Sequence, residues 1–431
     1  MESEWPETLL EELADEVTVG FVGSMASEYV EDGIPFFRSK NVAPYRILWD
    51  DMKYISRQFH EKIAKSSLHP GDVVIVRTGK PGTASIIPDT IEEANCSDLV
   101  IVRPGPKLDK RFLAYYLNSA AIHHINAHLV GAVQQHFNVG AAKKLSIPLP
   151  PFPEQKAIAH ILGCLDDKIE LNRRMNATLE GMAQALFQSW FVDFDPVIDN
   201  TLAAGNPLPD ELAERAETRS QALADGTANR EAGQAFPAAF QRSEELGWIP
   251  EGWEMAKLSD LLEVKYGKAH QKLSEGNIPV YGSGGLMRHA DKSLYSGESV
   301  LIPRKGTLSN ILYLNEEFWT VDTMFYTIPK RKFVPKYIFH HLKSLDFVSM
   351  NVGSAVPSMT TKVLNALPIL MPFESVLQEF DSILISYFDK TEANNVQSKT
   401  LAALRDTLLP KLISGDLRIP DAAALAEEAL A

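Results

Sequence analysis

Residues 153–194 read PEQKAIAHILGCLDDKIELNRRMNATLEGMAQALFQSWFVDF, and they limit the fold more than any other stretch. Apolar residues recur at alternating steps of four and three: Ile158, Leu162, Leu165, Ile169, then Leu179, Ala183, Leu186 and Trp190. That is a heptad seam, the pattern of a helix packed along its length against another helix. Pro153 suits a first helical turn, Glu154 complements the positive end of the helix dipole, and Pro196 lies where the helix has stopped. About 38 residues at ~1.5 Å each predict a rod of roughly 55 Å. Asn172 and Asn176 interrupt the apolar seam. A buried Asn costs stability but fixes register and partner choice.

The partner for this seam lies in the same chain. Residues 374–414 repeat the pattern at an offset of 222, so that Ile158 corresponds to Phe380, Leu162 to Leu384, Leu165 to Tyr387 and Asn172 to Asn394. Leu179, Met182 and Leu186 correspond to Leu401, Leu404 and Leu408. The two helices are expected to pair antiparallel within one chain rather than to dimerise two chains, because the repeat extends well beyond them.

The globular stretches repeat as well. WPETLLEEL at Trp5 returns as WEMAKLSDL at Trp253, and IPFFRSKNV at Ile34 as IPVYGSGGL at Ile278. GDVVIVRTGKPGT from Gly71 answers GESVLIPRKGTLSN from Gly297. Each is a β-rich run followed by a glycine-containing turn that carries cations. Strands follow around Leu99–Val102 and Met324–Ile328. Helices then follow, KLDKRFLAYYLNS answering KFVPKYIFHHLKS, and a Gly-led loop runs into each long helix. The expected organisation is a globular block over 1–152, a long helix over 153–194, a linker over 195–252, a second block over 253–373, a second long helix over 374–416 and a tail over 417–431. The linker reads as a solvated connector, and the tail as a short Ala/Glu helix or disordered chain. Mixed strands and short helices make each block α/β, and the whole chain α+β.

A net charge of −14 argues against a nucleic-acid ligand until its distribution is considered. Residues 193–252 hold twelve acids against four bases, whereas 35–150 hold fifteen bases against nine acids and 253–372 fourteen against ten. The acid therefore sits mainly in the linker, and the two blocks are mildly basic. The chain of 431 residues contains no apolar run of ~18 residues and no signal-peptide pattern, which predicts a cytoplasmic protein with no membrane association. Cys96 and Cys164 make neither a disulfide framework nor a zinc site.

Catalytic motifs are missing where they would be sought. Leu149-Pro150-Pro151-Phe152 has the prolines and aromatic of an adenine amino-methyltransferase motif, but Leu149 cannot accept a hydrogen bond from an exocyclic amine. Leu370-Met371-Pro372-Phe373 lacks that acceptor too, and both read as helix-starting turns. Thr78-Gly79-Lys80 lacks the rest of a phosphate loop, and Gly282-Ser283-Gly284-Gly285 is no dinucleotide fingerprint. His123, His124 and His128 have metal-capable spacing without a carboxylate, and read as helix surface. No metal site is expected.

The turns do carry DNA-compatible chemistry. In the first block the candidates are Arg38, Lys40, Asn41, Arg77, Thr78, Lys80, Gln134 and Gln135. In the second they are Tyr281, Ser283, Arg288, His289, Arg304, Lys305, Ser309 and Asn310. Arginine suits guanine edges, Asn and Gln suit adenine, and lysine suits phosphate.

LFQSWFVDFDP from Leu186, LRDTLLPKLISG from Leu404, LGWIPEGW from Leu246 and FWTVD from Phe318 together resemble the DNA-specificity subunit of type I restriction-modification systems, over essentially the full length. The resemblance implies two target-recognition domains, each reading half of a split double-stranded DNA site, separated by two long helices in an antiparallel coiled coil that sets the spacing. It implies docking of two methyltransferase subunits on the helices, and of restriction/motor subunits on that core. The chain itself is expected to be non-catalytic and to bind no cofactor. S-adenosylmethionine, ATP and magnesium would belong to the partners. A protein-interaction adaptor with no DNA role fits the missing catalytic motifs equally well.

Overall fold

The computed structural model describes residues 5–119, 121, 125, 137–227, 232–347 and 358–430. Two long helices run Phe152–Phe191 and Glu374–Ser414, and each contributes to two compact units. The first unit comprises Met1–Arg174 and Ala393–Ala431, and the second comprises Met175–Glu392.

In the first unit the strand Glu7–Leu9 pairs antiparallel with Ser146–Pro148. A four-stranded antiparallel sheet follows in the order Ala84–Ile86, Val73–Val76, Leu99–Pro104, Ala14–Val19. Its central strands VVIV and LVIV are buried on both faces, which explains their continuous apolar character. A five-stranded sheet is ordered Tyr29–Val30, Lys53–Ile55, Ile34–Phe37, Ala94–Cys96, Ser67–Leu68. Within it Ile34–Phe37 and Ala94–Cys96 run parallel. The helix Lys110–Asn118 starts at Asp109, whose carboxylate accepts from the backbone N–H of Arg111 and Phe112 at 2.9 and 3.0 Å.

The two long helices pack antiparallel in this unit. Ile158, Leu162, Leu165 and Ile169 share one core with Leu401, Leu408, Leu409, Leu412 and Ile413, and Leu404 lies half-buried against it. Asn172 is buried, and its amide donates to Asn394 O at 3.3 Å, Gln397 Oε1 at 2.9 Å and Ser398 Oγ at 3.3 Å. The helix pair is tied to the globular part through Asp166, which accepts from Arg405 Nη1 at 2.5 Å and from Tyr115 Oη at 2.6 Å. The Arg405 guanidinium lies 4.5 Å from the Tyr45 ring centroid. The tail forms the helix Ile419–Leu430 and buries Ala422 and Ala426 in the same core.

The second unit repeats the plan. Glu254–Lys257 pairs with Pro368–Met371. Its six-stranded sheet is ordered Leu262–Tyr266, Met324–Pro329, Tyr295–Pro303, Leu312–Thr320, Ile278–Gly282, Gly285–Ala290. The helix Val334–Ser344 stands where Lys110–Asn118 stands in the first unit. Its Lys336 is buried, and donates to Glu298 Oε1 and Asp381 Oδ1 at 2.8 Å each. Phe380 and Leu384 are in the core, with Tyr387 half-buried beside them.

In this unit the first helix departs from the seam read in the sequence. Ala183 and Trp190 of that seam are buried in the core, but Leu179 and Leu186 are half-buried, and Phe187 and Phe191 take core positions outside it. A straight helix drifts ~20° per heptad relative to a strict seven-residue repeat, which moves the contact line by about one position. Phe191 then packs edge-on to Phe380 and Tyr337, with centroids 4.9 and 4.8 Å apart. The helix stops at Phe191, and Phe194, in left-handed backbone (φ 57°), opens the next one.

The stretch read as a solvated connector is instead a folded insertion in the second unit. Helices Asp195–Ala204 and Ala213–Ala224 are joined by Arg215 on Asp195 (2.7 and 2.8 Å) and Arg219 on Asp199 (2.8 Å). Val197, Phe236 and Ile249 are buried in the main core of the unit. The insertion therefore spends part of its acidity on its own arginines.

Two predictions follow from the packing. Leu165→Asp places an unpaired charge in the helix seam and should cost several kcal/mol, about 3–5, read as a lowered Tm. A variant that melts like wild type contradicts the pairing. The second concerns acid. Burial pushes His340 and His341 down to about 4, so both stay neutral in the folded unit. The unfolded chain protonates them near pH 6.5, so their contribution is complete above that value and is lost as pH falls toward 4. At pH 5 the loss is about 2 kcal/mol for His340 alone. The corresponding first-unit residues are Tyr115 and Tyr116, whose hydroxyls burial pushes upward. Hydrogen exchange at pH 7 and pH 5 should show the second unit loosening first, and equal loosening would refute the assignment.

Candidate nucleic-acid interface

The repeat is clearest at the strand ends. In the first unit Cys96 pairs with Phe37 in parallel, and one step on Ser97 N donates to Phe37 O at 3.0 Å. In the second Thr320 pairs with Tyr281 in parallel, and one step on Val321 N donates to Tyr281 O at 3.0 Å. Gly20 N donates to Leu99 O at 2.8 Å, and Gly267 N to Met324 O at 3.0 Å. A Cβ on Gly20 would lie 2.8 Å from Cys96 O, and one on Gly267 would lie 2.1 Å from Val321 O, so both crossings need glycine. Counted onward from Ser97 and Val321, Asp98 corresponds to Asp322, and the second unit has one extra residue, Thr323, before Met324.

The same construction places the two strand-end arginines. Val76 pairs with Leu99 and is followed by Arg77. Pro303 pairs with Met324 and is followed by Arg304. Arg77 Nη1 donates to Asp98 Oδ1 at 2.6 Å, and Thr78 Oγ1 donates to Asp98 Oδ2 at 2.8 Å. Arg304 Nη1 donates to the backbone O of Asp322 at 3.0 Å, and its guanidinium lies 5.3 Å from the ring of Tyr266, itself half exposed. Each unit thus brings an arginine and an aspartate together where the strands end.

Arg38 follows Phe37, whose carbonyl accepts from Ser97 N, one residue before Asp98. Arg38, Lys40 and Lys53 gather on Asp51, with Lys53 Nζ at 3.0 Å and Arg38 Nη2 at 3.4 Å. Hydrogen bonds from Lys40 and Lys53 hold the Asp51 carboxyl well below the usual carboxylate range. Both Asp51 (φ 50°) and Asp98 (φ 53°) have left-handed backbone, a conformation that non-glycine residues adopt at a cost. Lys80 is exposed at the tip of the turn joining Val73–Val76 to Ala84–Ile86. Trp49 is half exposed on the loop before Asp51.

In the second unit the turn after Ile278–Gly282 meets the turn after Tyr295–Pro303. Asn310 Nδ2 donates to Ser283 O at 2.9 Å, and Gly306 (φ 87°) leaves only 3.0 Å between an added Cβ and Ser283 Oγ. Ser309, Lys305 and His289 are exposed, and Tyr281 Oη donates to Glu316 Oε1 at 2.9 Å.

Two sequence candidates have other work. Asn41 is fully buried: its Oδ1 accepts from Arg38 N at 3.1 Å, and its amide donates to Leu48 O and Asp50 O at 3.1 and 3.3 Å. It shapes the Asp51 loop and cannot reach a ligand. Arg288 turns inward and donates to Leu273 O at 2.7 Å and His270 O at 3.1 Å, clamping the preceding loop. Gln134, Gln135 and the histidines at 123, 124 and 128 lie outside the described residues. Sequence reasoning missed Asp51, Asp98, Asp322 and Trp49, because acids and a lone aromatic are poor DNA signals taken singly. The signal available was an Asp within two residues of the start of each returning strand, Asp98 before Leu99 and Asp322 before Met324.

Among the described residues no group of three or more His, Cys, Asp or Glu is placed to hold a metal ion, and no helix is long and apolar enough to cross a membrane.

Comparison with known proteins fits this geometry. The model of the type I restriction modification DNA specificity domain matches residues 17–181 and again 250–402, well over half of the chain. The repeated fold is thus that of a protein carrying two DNA-specificity domains. The chain belongs to the type I restriction-modification specificity family, and its function is sequence-specific DNA recognition. It is 27% identical over 325 residues to the HindI specificity subunit of Haemophilus influenzae, covering 64% of this chain and 70% of that one. It is 23% identical to the MjaIX specificity subunit of Methanocaldococcus jannaschii, covering 91% and 89%. The S subunit structure from M. genitalium shares the fold, with a TM-score of 0.53 at 16% identity over 95% of this chain and 96% of that one.

Asn41→Ala should leave three hydrogen-bonding groups of its loop without their partner and cost about 1–3 kcal/mol. DNA affinity should drop with it through disorder around Asp51. Unchanged thermal stability would show that Asn41 does not hold this loop.

Proposed function

We propose that each unit reads one half of a bipartite duplex target, and that the paired helices set the spacing between the halves. The observation that carries this reading is the recurrence of one strand-end arrangement, Arg77 with Asp98 and Arg304 with Asp322, in loops that otherwise differ in sequence. Equivalent frames with different side chains suit two readers of different half-sites. The direct contacts proposed are Arg38, Lys40, Arg77, Thr78 and Lys80 in the first unit, and Tyr281, Ser283, His289, Arg304, Lys305, Ser309 and Asn310 in the second.

In this reading the protein is a non-catalytic cytoplasmic subunit. Two adenine methyltransferase subunits dock on its long helices, and restriction/motor subunits join that core. S-adenosylmethionine, ATP and magnesium serve those partners, and the chain's own residues supply target choice and geometry. A folded scaffold that presents both readers together makes the second contact effectively intramolecular once the first has formed.

Replacing residues 253–372 with the corresponding block of another family member should change one half-site in the map of methylated adenines and leave the other intact. A change in both halves, or in neither, contradicts modular reading. Duplex binding by the complex with its methyltransferase partner should fall steeply with salt, as counterion release requires. Lack of any duplex binding would favour a protein-interaction adaptor.

A further inference from the structure

The two strand-end arginines occupy corresponding positions but are held in different ways. Arg77 is bonded through its side chain to a carboxylate, and that carboxylate is fixed by Thr78 and by a left-handed backbone. Arg304 leans on a carbonyl and an aromatic ring, and the carboxylate of Asp322 is exposed with no partner among the described residues. A guanidinium meant for phosphate gains nothing from a carboxylate at 2.6 Å, which cancels its charge and repels the phosphate. A guanidinium meant for a guanine edge gains a fixed direction, because bidentate contact to O6 and N7 depends on the orientation of the planar fork. The Asp98 side chain is 42% exposed while that of Arg77 is 18% exposed, so the carboxylate remains open to an approaching ligand.

Resting on the DNA-reading function above, we propose that Asp98 is a specificity-determining positioning residue. It aims Arg77 at a base edge in the first half-site and keeps it off the backbone. The second unit, which lacks this side-chain pair, relies less on its equivalent aspartate. The first half-site should therefore contain a guanine whose recognition depends on both Arg77 and Asp98.

The test uses the full-length protein in complex with its methyltransferase partner. Duplex binding is measured against salt, and methylation is measured on a set of targets with single base-pair changes. Asp98→Asn is tolerated by left-handed backbone, removes the charge and leaves one acceptor oxygen where Arg77 and Thr78 now have two. It should raise affinity for non-target duplex, steepen the salt slope by about 0.9 as one more phosphate is engaged, and relax discrimination at one base pair of the first half-site by tenfold or more. Arg77→Lys keeps the charge without the fork. It should lose the same discrimination with the salt slope unchanged. The proposal is overturned if Arg77→Lys reads the target like wild type, which marks a phosphate contact. It is equally overturned if Asp98→Asn alters neither slope nor discrimination while melting normally. A wild-type complex that binds no duplex at any salt would overturn the DNA reading itself, a result distinct from both.

Discussion

The structure depends on a helix pair whose apolar seam is crossed by a buried asparagine, Asn172. Leucines alone would let two long helices slide by a heptad with little penalty, since every register buries similar surface. Asn172 removes that freedom. Its amide has partners on the second helix at Asn394, Gln397 and Ser398, and a slipped register would leave it buried without them. Asn172 and Asn394 are also equivalent by the internal repeat. In an antiparallel pair built from two copies of one pattern, repeat mates meet at one level, and partners elsewhere run in opposite order. The core of the first unit obeys this, joining Ile158 and Leu165 with Leu408 and Leu401 rather than with their repeat mates.

The attachment of helices to globular parts differs between the units, although the frame is the same. In the first unit Arg405, Asp166, Tyr115 and Tyr45 form a charged and aromatic joint. In the second, Phe187, Phe191, Tyr337 and Phe380 form an aromatic one, with the Lys336–Asp381 pair beside it. A polar joint is directional, and breaking one member leaves a buried charge uncompensated. An aromatic joint gains mainly from area and tolerates small shifts. Burial holds two histidines of the helix Val334–Ser344 neutral beside the second joint, where the first carries tyrosines.

Much of this was legible in the sequence. The heptad seam, its copy at an offset of 222 and the echoes from Trp5 to Trp253 together convey paired helices and a repeated α/β block. Hydrophobic periodicity survives divergence because burial constrains residue class and not identity. What sequence could not convey were the features set by tertiary contact. The insertion at 195–252 looked like a connector because its acids suggested a solvated face, yet Asp195 and Asp199 are buried against Arg215 and Arg219. Asn41 looked like a base-reading amide, but its three hydrogen bonds go to its own loop. The seam near Leu186 was misplaced by one position because Phe187 is the larger side chain and the helix drifts.

The aspartates at the strand ends show why composition misleads for such a protein. A reader of duplex DNA gains nonspecific affinity from every exposed cation, and that affinity opposes discrimination, because nonspecific sites compete with the target. Pairing cations with acids lowers the sequence-independent attraction while preserving the orientation of the donors. Asp51 does this for Arg38, Lys40 and Lys53, and Asp98 for Arg77. Both accept left-handed backbone, which places each carboxylate against its cations instead of along the regular path of the chain. Modest net charge in each block is then what selectivity requires, and the acidity of the chain as a whole ceases to count against a DNA ligand.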